Sequence, residues 1–114
     1  MILIKEEWSL WLAFVRFSDG IGGKERPVVV LDDQIILCVC MGVTSKEKRY
    51  RHGYKLKHWK HAGLKAESWV RYEYIKLEPD EFIHRIGMLH PDDIRGIENW
   101  MKDLMQGHSK YRPD

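Results

Sequence analysis

Apolar residues concentrate in two consecutive runs, Arg26-Pro27-Val28-Val29-Val30-Leu31 and Gln34-Ile35-Ile36-Leu37-Cys38-Val39-Cys40-Met41, with Asp32-Asp33 between them. β-Branched and aliphatic residues dominate both, as in strands buried on at least one face. Paired aspartates are turn chemistry, so the pattern predicts a tight antiparallel hairpin turning at Asp32-Asp33. Upstream, residues 10–17 read as an aromatic-rich first strand. Residues 18–25 form a glycine-rich loop that feeds a strand. A phosphate cradle of the nucleotide-binding kind would instead open a helix.

Downstream, residues 54–59 read as a short strand or turn, and residues 62–68 as a connection. Residues 69–77 alternate clearly, which predicts one strand with Trp69, Arg71, Glu73 and Ile75 on one face and Val70, Tyr72, Tyr74 and Leu77 mostly on the other. Residues 82–89 predict another strand. Pro91 suits a first helical position, and Asp92-Asp93 complement a helix N-terminus. Ile94, Ile97, Trp100, Met101 and Leu104 follow at helical spacing to an end near Gly107. Residues 1–9 leave a short helix and an extended lead-in both open. Five or six short strands with a terminal amphipathic helix predict a mainly β fold, a small SH3-like barrel.

Length sharpens this to one domain over residues 1–114, with residues 106–114 as a frayed tail. With 44% apolar and 32% charged residues, the chain is globular in composition. No apolar run approaches the roughly 20 residues of a membrane helix. Glu6 and Glu7 stand where a signal peptide carries basic residues, so a cytoplasmic protein is expected. Cys38 and Cys40 share one strand face, where a disulfide is poorly accommodated, and read as buried free thiols. Asp92-Asp93 is a helix-start device rather than a metal pair, and no metal or cofactor is expected.

Charge changes the picture more. The net charge is +2, yet residues 46–60 hold seven Lys or Arg against the single Glu47. Tyr50, Tyr54 and Trp59 lie among them. Single-stranded nucleic acid is held by such backbone charge combined with base stacking. A solvated, solubilising loop has the same composition.

The hairpin ends bring chemistry together. Pro27 has no N–H for a ladder and extends the residue before it, so Arg26 is held stiffly at a strand mouth. In an antiparallel pair the start of one strand lies beside the end of the next, which sets Thr44-Ser45 near Arg26. A guanidinium can hold two phosphate oxygens while a hydroxyl adds a donor. A surface ion pair for Arg26 and a sheet hydroxyl for Thr44 fit the same spacing.

The order of an aromatic strand, a glycine-rich loop, Arg26-Pro27-Val28-Val29-Val30-Leu31, a second strand and Val43-Thr44-Ser45 resembles the MazF/PemK family of toxins. Ala62-Gly63-Leu64, Ser68-Trp69-Val70, Ile86-Gly87-Met88-Leu89 and the helix from Pro91 extend that resemblance from about Leu10 to Leu104. It implies the toxin of a type II toxin–antitoxin pair: a metal-independent, sequence-selective endoribonuclease of single-stranded RNA. It also implies a homodimer neutralised by a cognate antitoxin. By position it makes Arg26 and Thr44 catalytic. Ser45, Lys46, Lys48, Arg49, Tyr50 and Arg51 become expected RNA contacts, with Lys24 and Ser68. The chain departs from the family in its Glu67-Ser68-Trp69 element and in the density of its basic segment. His52, His58 and Glu67 remain candidates for the proton acceptor. A non-enzymatic module of the same barrel, such as a CcdB-like gyrase poison or a phage adaptor, is the alternative.

Overall fold

A computed structural model describes residues 4–17, 19–46 and 53–106. Its strands are β1 (Ser9–Arg16), β2 (Gly23–Asp33), β3 (Cys38–Thr44), β4 (Tyr54–Lys55), β5 (Trp69–Val70), β6 (Ile75–Leu77) and β7 (Phe82–Met88), followed by helix α1 (Pro91–Gln106). The sheet runs β4-β5-β3-β2-β1-β7, and β6 also pairs with β3. The pairings within it are antiparallel. The protein is therefore mainly β with a C-terminal helix, in a bent, barrel-like arrangement.

Strand alternation divides the core in two. Leu10, Val29, Met41 and Val43 face α1, where they meet Leu56, Val70, Leu89 and Ile97. Ile94, Trp100 and Met101 pack against the same cluster, so the helical stripe does bury its apolar side. Ala13, Val15, Val28, Val30, Cys38, Cys40 and Leu77 face the other way, under Trp11, Ile75 and Phe82. Both cysteines are free and buried, their sulfurs 3.7 Å apart.

Strands β4 and β7 end the sheet without pairing to each other among the described residues. The seam is instead packed by the turns after β4. A Cβ on Gly87 would collide with the Ala62 carbonyl oxygen, and one on Gly63 would lie 2.8 Å from the Ile86 oxygen. Glycine at Gly87 is thus what lets the connection lie directly on β7.

The hairpin turns later than its aspartates predict. Asp32 and Asp33 pair with Val39 and Cys38 inside the ladder. Residues 34–37 make the turn, with Ile35 at φ 73° and Gln34 donating to the Leu37 oxygen at 2.9 Å. Asp33 still acts as a turn residue: its carboxylate accepts from the Ile35 N–H at 2.9 Å and the Lys5 N–H at 2.7 Å. Ile35 and Ile36 are consequently exposed rather than strand core.

The single strand predicted over residues 69–77 is also broken. β5 pairs Val70 with Val43, whereas β6 pairs Ile75 with Cys40. Four residues (71–74) thus lie opposite two of β3 (Met41 and Gly42), a bulge of two extra residues. It is fixed by the Arg71 N–H donating to the Gly42 oxygen and the Glu73 N–H donating to the Arg71 oxygen, each at 2.9 Å.

Candidate functional site

Residues Arg26, Val28 and Val30 share one face of β2, and Cys38, Cys40, Gly42 and Thr44 the matching face of β3. The β2–β3 ladder ends at the Val28–Gly42 pair, and just beyond it Arg26 and Thr44 line one groove. The smaller apolar cluster therefore ends in a guanidinium and a hydroxyl, as the hairpin geometry predicts. Beyond it opens a groove of about 640 Å³, lined among others by Lys24, Arg26, Thr44, Lys46, Arg71 and Glu73.

Glu73 organises these cations. Its Oε2 lies 2.8 Å from Arg71 Nη2, and its Oε1 lies 3.9 Å from Arg26 Nη2. The side chains of Arg26 and Arg71 are only 19% and 16% exposed, so solvent screens them less than surface charges. Gly42 leaves the space for this contact. A Cβ there would stand 2.9 Å from Glu73 Oε1 and 3.4 Å from Arg26 Nη2.

Thr44 Oγ1 accepts the Lys46 N–H at 3.1 Å, a bond that does not use its hydroxyl hydrogen. Ser45 lies beside it on the rim, and the exposed Lys46 follows.

A second groove, of about 500 Å³, lies on the other side of Thr44 and Ser45, and Ser68 belongs to it. Ser68 is 4% exposed and donates to the Ala66 oxygen at 2.8 Å. Of the expected RNA contacts, then, Lys24, Ser45 and Lys46 join Arg26 and Thr44 in one groove, while Ser68 lines its neighbour. Lys48, Arg49, Tyr50 and Arg51 lie outside the described residues, as does His52.

The remaining acid–base candidates are placed elsewhere. Glu67 pairs with Lys55 at 3.9 Å, both well exposed, and lines neither groove. His58 stacks on His90 with ring centres 3.9 Å apart and meets Asp92 at 3.1 Å. Among the described residues His58, His90 and Asp92 are the one group with metal-ligand chemistry, and none of the three lines a groove.

Tyr54 is not a stacking surface for a bound strand. Its hydroxyl donates to Asp93 at 3.0 Å, its ring lies against Trp100, and a Cβ on Gly96 would collide with it. Trp59 packs on the helix-side core. Asp93 is fully buried and accepts three hydrogen bonds, from Tyr54 Oη and from the Lys57 and His58 N–H groups. The second aspartate of the helix start thus ties the turn after β4 to α1.

Sequence reasoning missed Arg71 and Glu73. Their shared face was visible in the alternation, but nothing local in sequence linked them to Arg26.

A mainly β, barrel-like fold ending in a helix carries the groove that Arg26 and Thr44 share. A family model described as PemK-like, MazF-like toxin of type II toxin–antitoxin system matches residues 8–105, and the chain belongs to that family. Among solved structures, the MazE–MazF crystal structure (form II) from Deinococcus radiodurans aligns with a TM-score of 0.60. The alignment covers 90% of this chain and 96% of that one at 19% identity, a likeness of fold. No curated protein sequence matches the chain. No helix among the described residues is long and apolar enough to cross a membrane.

Proposed function

We propose that this toxin is a metal-independent endoribonuclease that cleaves single-stranded RNA to 2′,3′-cyclic phosphate and 5′-hydroxyl ends. The observation that carries the reading is the placement of Arg26 and Thr44 across one groove, with Arg71, Lys24 and Lys46 around them. Such a groove offers positive charge and a hydroxyl donor to a phosphodiester.

In this mechanism the substrate's own 2′-oxygen attacks the adjacent phosphorus. The P–O2′ bond forms, the P–O5′ bond breaks, and the departing 5′-oxygen takes up a proton from water. Arg26 donates to the non-bridging oxygens as their charge grows, and Thr44 adds a hydroxyl donor. A guanidinium is not deprotonated in a protein, so Arg26 is not the base. Glu73 is the carboxylate in contact with Arg26. We assign it the 2′-hydroxyl proton as well as the positioning of both guanidiniums.

Sequence selection by base contacts, assembly as a homodimer and neutralisation by a cognate antitoxin belong to the same reading. The fold neighbour was crystallised as MazE–MazF, and the antitoxin proposed here corresponds to its MazE. A long single-stranded RNA incubated with purified protein in EDTA tests the reading. Cleavage at reproducible sites is expected. Activity lost in chelator and restored by a divalent ion would contradict the mechanism.

A further inference from the structure

The second groove shares Pro27, Val43, Thr44 and Ser45 with the first, so the two meet at the hydroxyl ridge beside Arg26. Their chemistry differs. Leu12, Leu64 and Ile86 contribute apolar wall to the second groove, while Lys65, His84 and Arg85 bring polar groups to it. Apolar walls with a few polar groups suit a flat ligand with apolar faces and hydrogen-bonding edges. A nucleobase has that form, and unstacked bases of single strands are read in this way.

His84 is exposed on β7 and pairs with Leu12 across the β1–β7 ladder. Its Nδ1 lies 3.2 Å from the Arg85 carbonyl oxygen, which only accepts, and in the tautomer that donates there Nε2 is an acceptor for the edge of a base. Among the described residues, the Arg85 side chain is held by an exposed ion pair, 3.6 Å from Glu6, which a ligand can displace at little cost. Lys65 and Arg85 supply donors, and their charge favours a polyanionic strand over a neutral apolar segment as the occupant.

We infer that this second groove is a nucleobase subsite: it receives a base flanking the phosphate held at Arg26 and Thr44, and His84 reads the edge of that base. The inference rests on the ribonuclease reading and adds the place where sequence is selected. His84 is a specificity residue here, since the bond that breaks lies in the neighbouring groove.

The test is an abasic scan. A short RNA carrying one mapped cleavage site is made with a single abasic ribose at each position around that site. Wild-type protein should lose roughly tenfold to a hundredfold in kcat/KM at one position next to the scissile phosphate, the range expected for one edge-reading contact. His84→Ala should cut the intact RNA that much more slowly and become indifferent to the abasic position. His84→Gln, whose amide oxygen also accepts, should recover most of the discrimination. Efficient cutting with a flat scan would overturn the subsite alone, as would a His84→Ala variant that keeps the wild-type scan. A flat scan is also the result expected if the groove instead receives an apolar side chain of a protein partner. Intact RNA that is neither bound nor cut would overturn the ribonuclease reading, and the subsite with it.

Discussion

Glu73 reaches Arg26 across the break between β5 and β6, its Oε1 standing 3.9 Å from Arg26 Nη2 while its Oε2 holds Arg71 at 2.8 Å. An unbroken strand would have kept the Val70–Val43 register through residue 73. The two extra residues carry Arg71 and Glu73 into the groove instead. One carboxylate between two guanidiniums fixes their spacing before any substrate arrives, which is what preorganised electrostatic stabilisation requires.

Glu73→Gln removes the charge and keeps the shape. We expect RNA cleavage to fall about tenfold to a thousandfold. Initial rates of both proteins on one defined RNA measure the loss, and an unchanged rate would remove Glu73 from the mechanism.

Gly42→Ala tests the same contact without touching its charges. The added Cβ would stand 2.9 Å from Glu73 Oε1, at the end of a flexible side chain that can swing away. The expected outcome is a stability change under about 1 kcal/mol. Cleavage should drop at least tenfold, because small displacements of positioned groups cost about a hundredfold. Urea denaturation alongside a cleavage assay checks both halves.

Asp93→Ala addresses the scaffold. Losing this buried acceptor would leave Tyr54 Oη and two backbone N–H groups without their partner. A cost of roughly 2–4 kcal/mol follows from unsatisfied buried donors. Asp93 lines neither groove, so cleavage per folded molecule should be retained at low temperature. Burial, with Asp93 adding to it, raises the Tyr54 phenol above its ordinary 10.0. The folded state therefore holds that proton more tightly than the unfolded chain. The stability this contributes is complete below 10.0 and lost as pH rises beyond it, and Tyr54→Phe should flatten that alkaline decline.

How far the sequence shows this depends on the range of each signal. Alternation and proline placement are local, and they locate the apolar centre of β2 and the end of β3 at Thr44, but β2 starts at Gly23, so residues 23–25 are strand rather than loop and Arg26 pairs with Ala13 inside the β1–β2 ladder. The turn escaped because Asp33 is a turn residue that also pairs with Cys38, while Ile35 and Ile36 are apolar yet exposed. The β5–β6 bulge escaped because alternation over residues 69–77 continues through it. Glu73 and Arg26 are far apart in sequence, and only pairing of both segments with β3 brings them together. His84 in the second groove was likewise invisible, since one histidine in a strand has no spacing to betray it.

Salt dependence should report the strand's phosphates. Binding of single-stranded RNA should weaken with a log–log slope of about −0.7 per phosphate contacted. Lys24→Ala and Lys46→Ala should each make that slope shallower, by up to one contact. A titration with a fluorescent oligonucleotide over a range of salt measures this, and an unchanged slope would remove those lysines from the RNA surface.

The proposed role of Arg26 is to stabilise the phosphoryl charge during RNA cleavage. Its direct test is the rate and product chemistry of Arg26→Ala on one defined single-stranded RNA, in EDTA, beside wild type. The wild type should give 2′,3′-cyclic phosphate and 5′-hydroxyl ends. A fall of about a hundredfold to a thousandfold is expected in the variant, with circular dichroism checking its fold. An Arg26→Ala protein that cuts the same RNA at the wild-type rate would contradict that role.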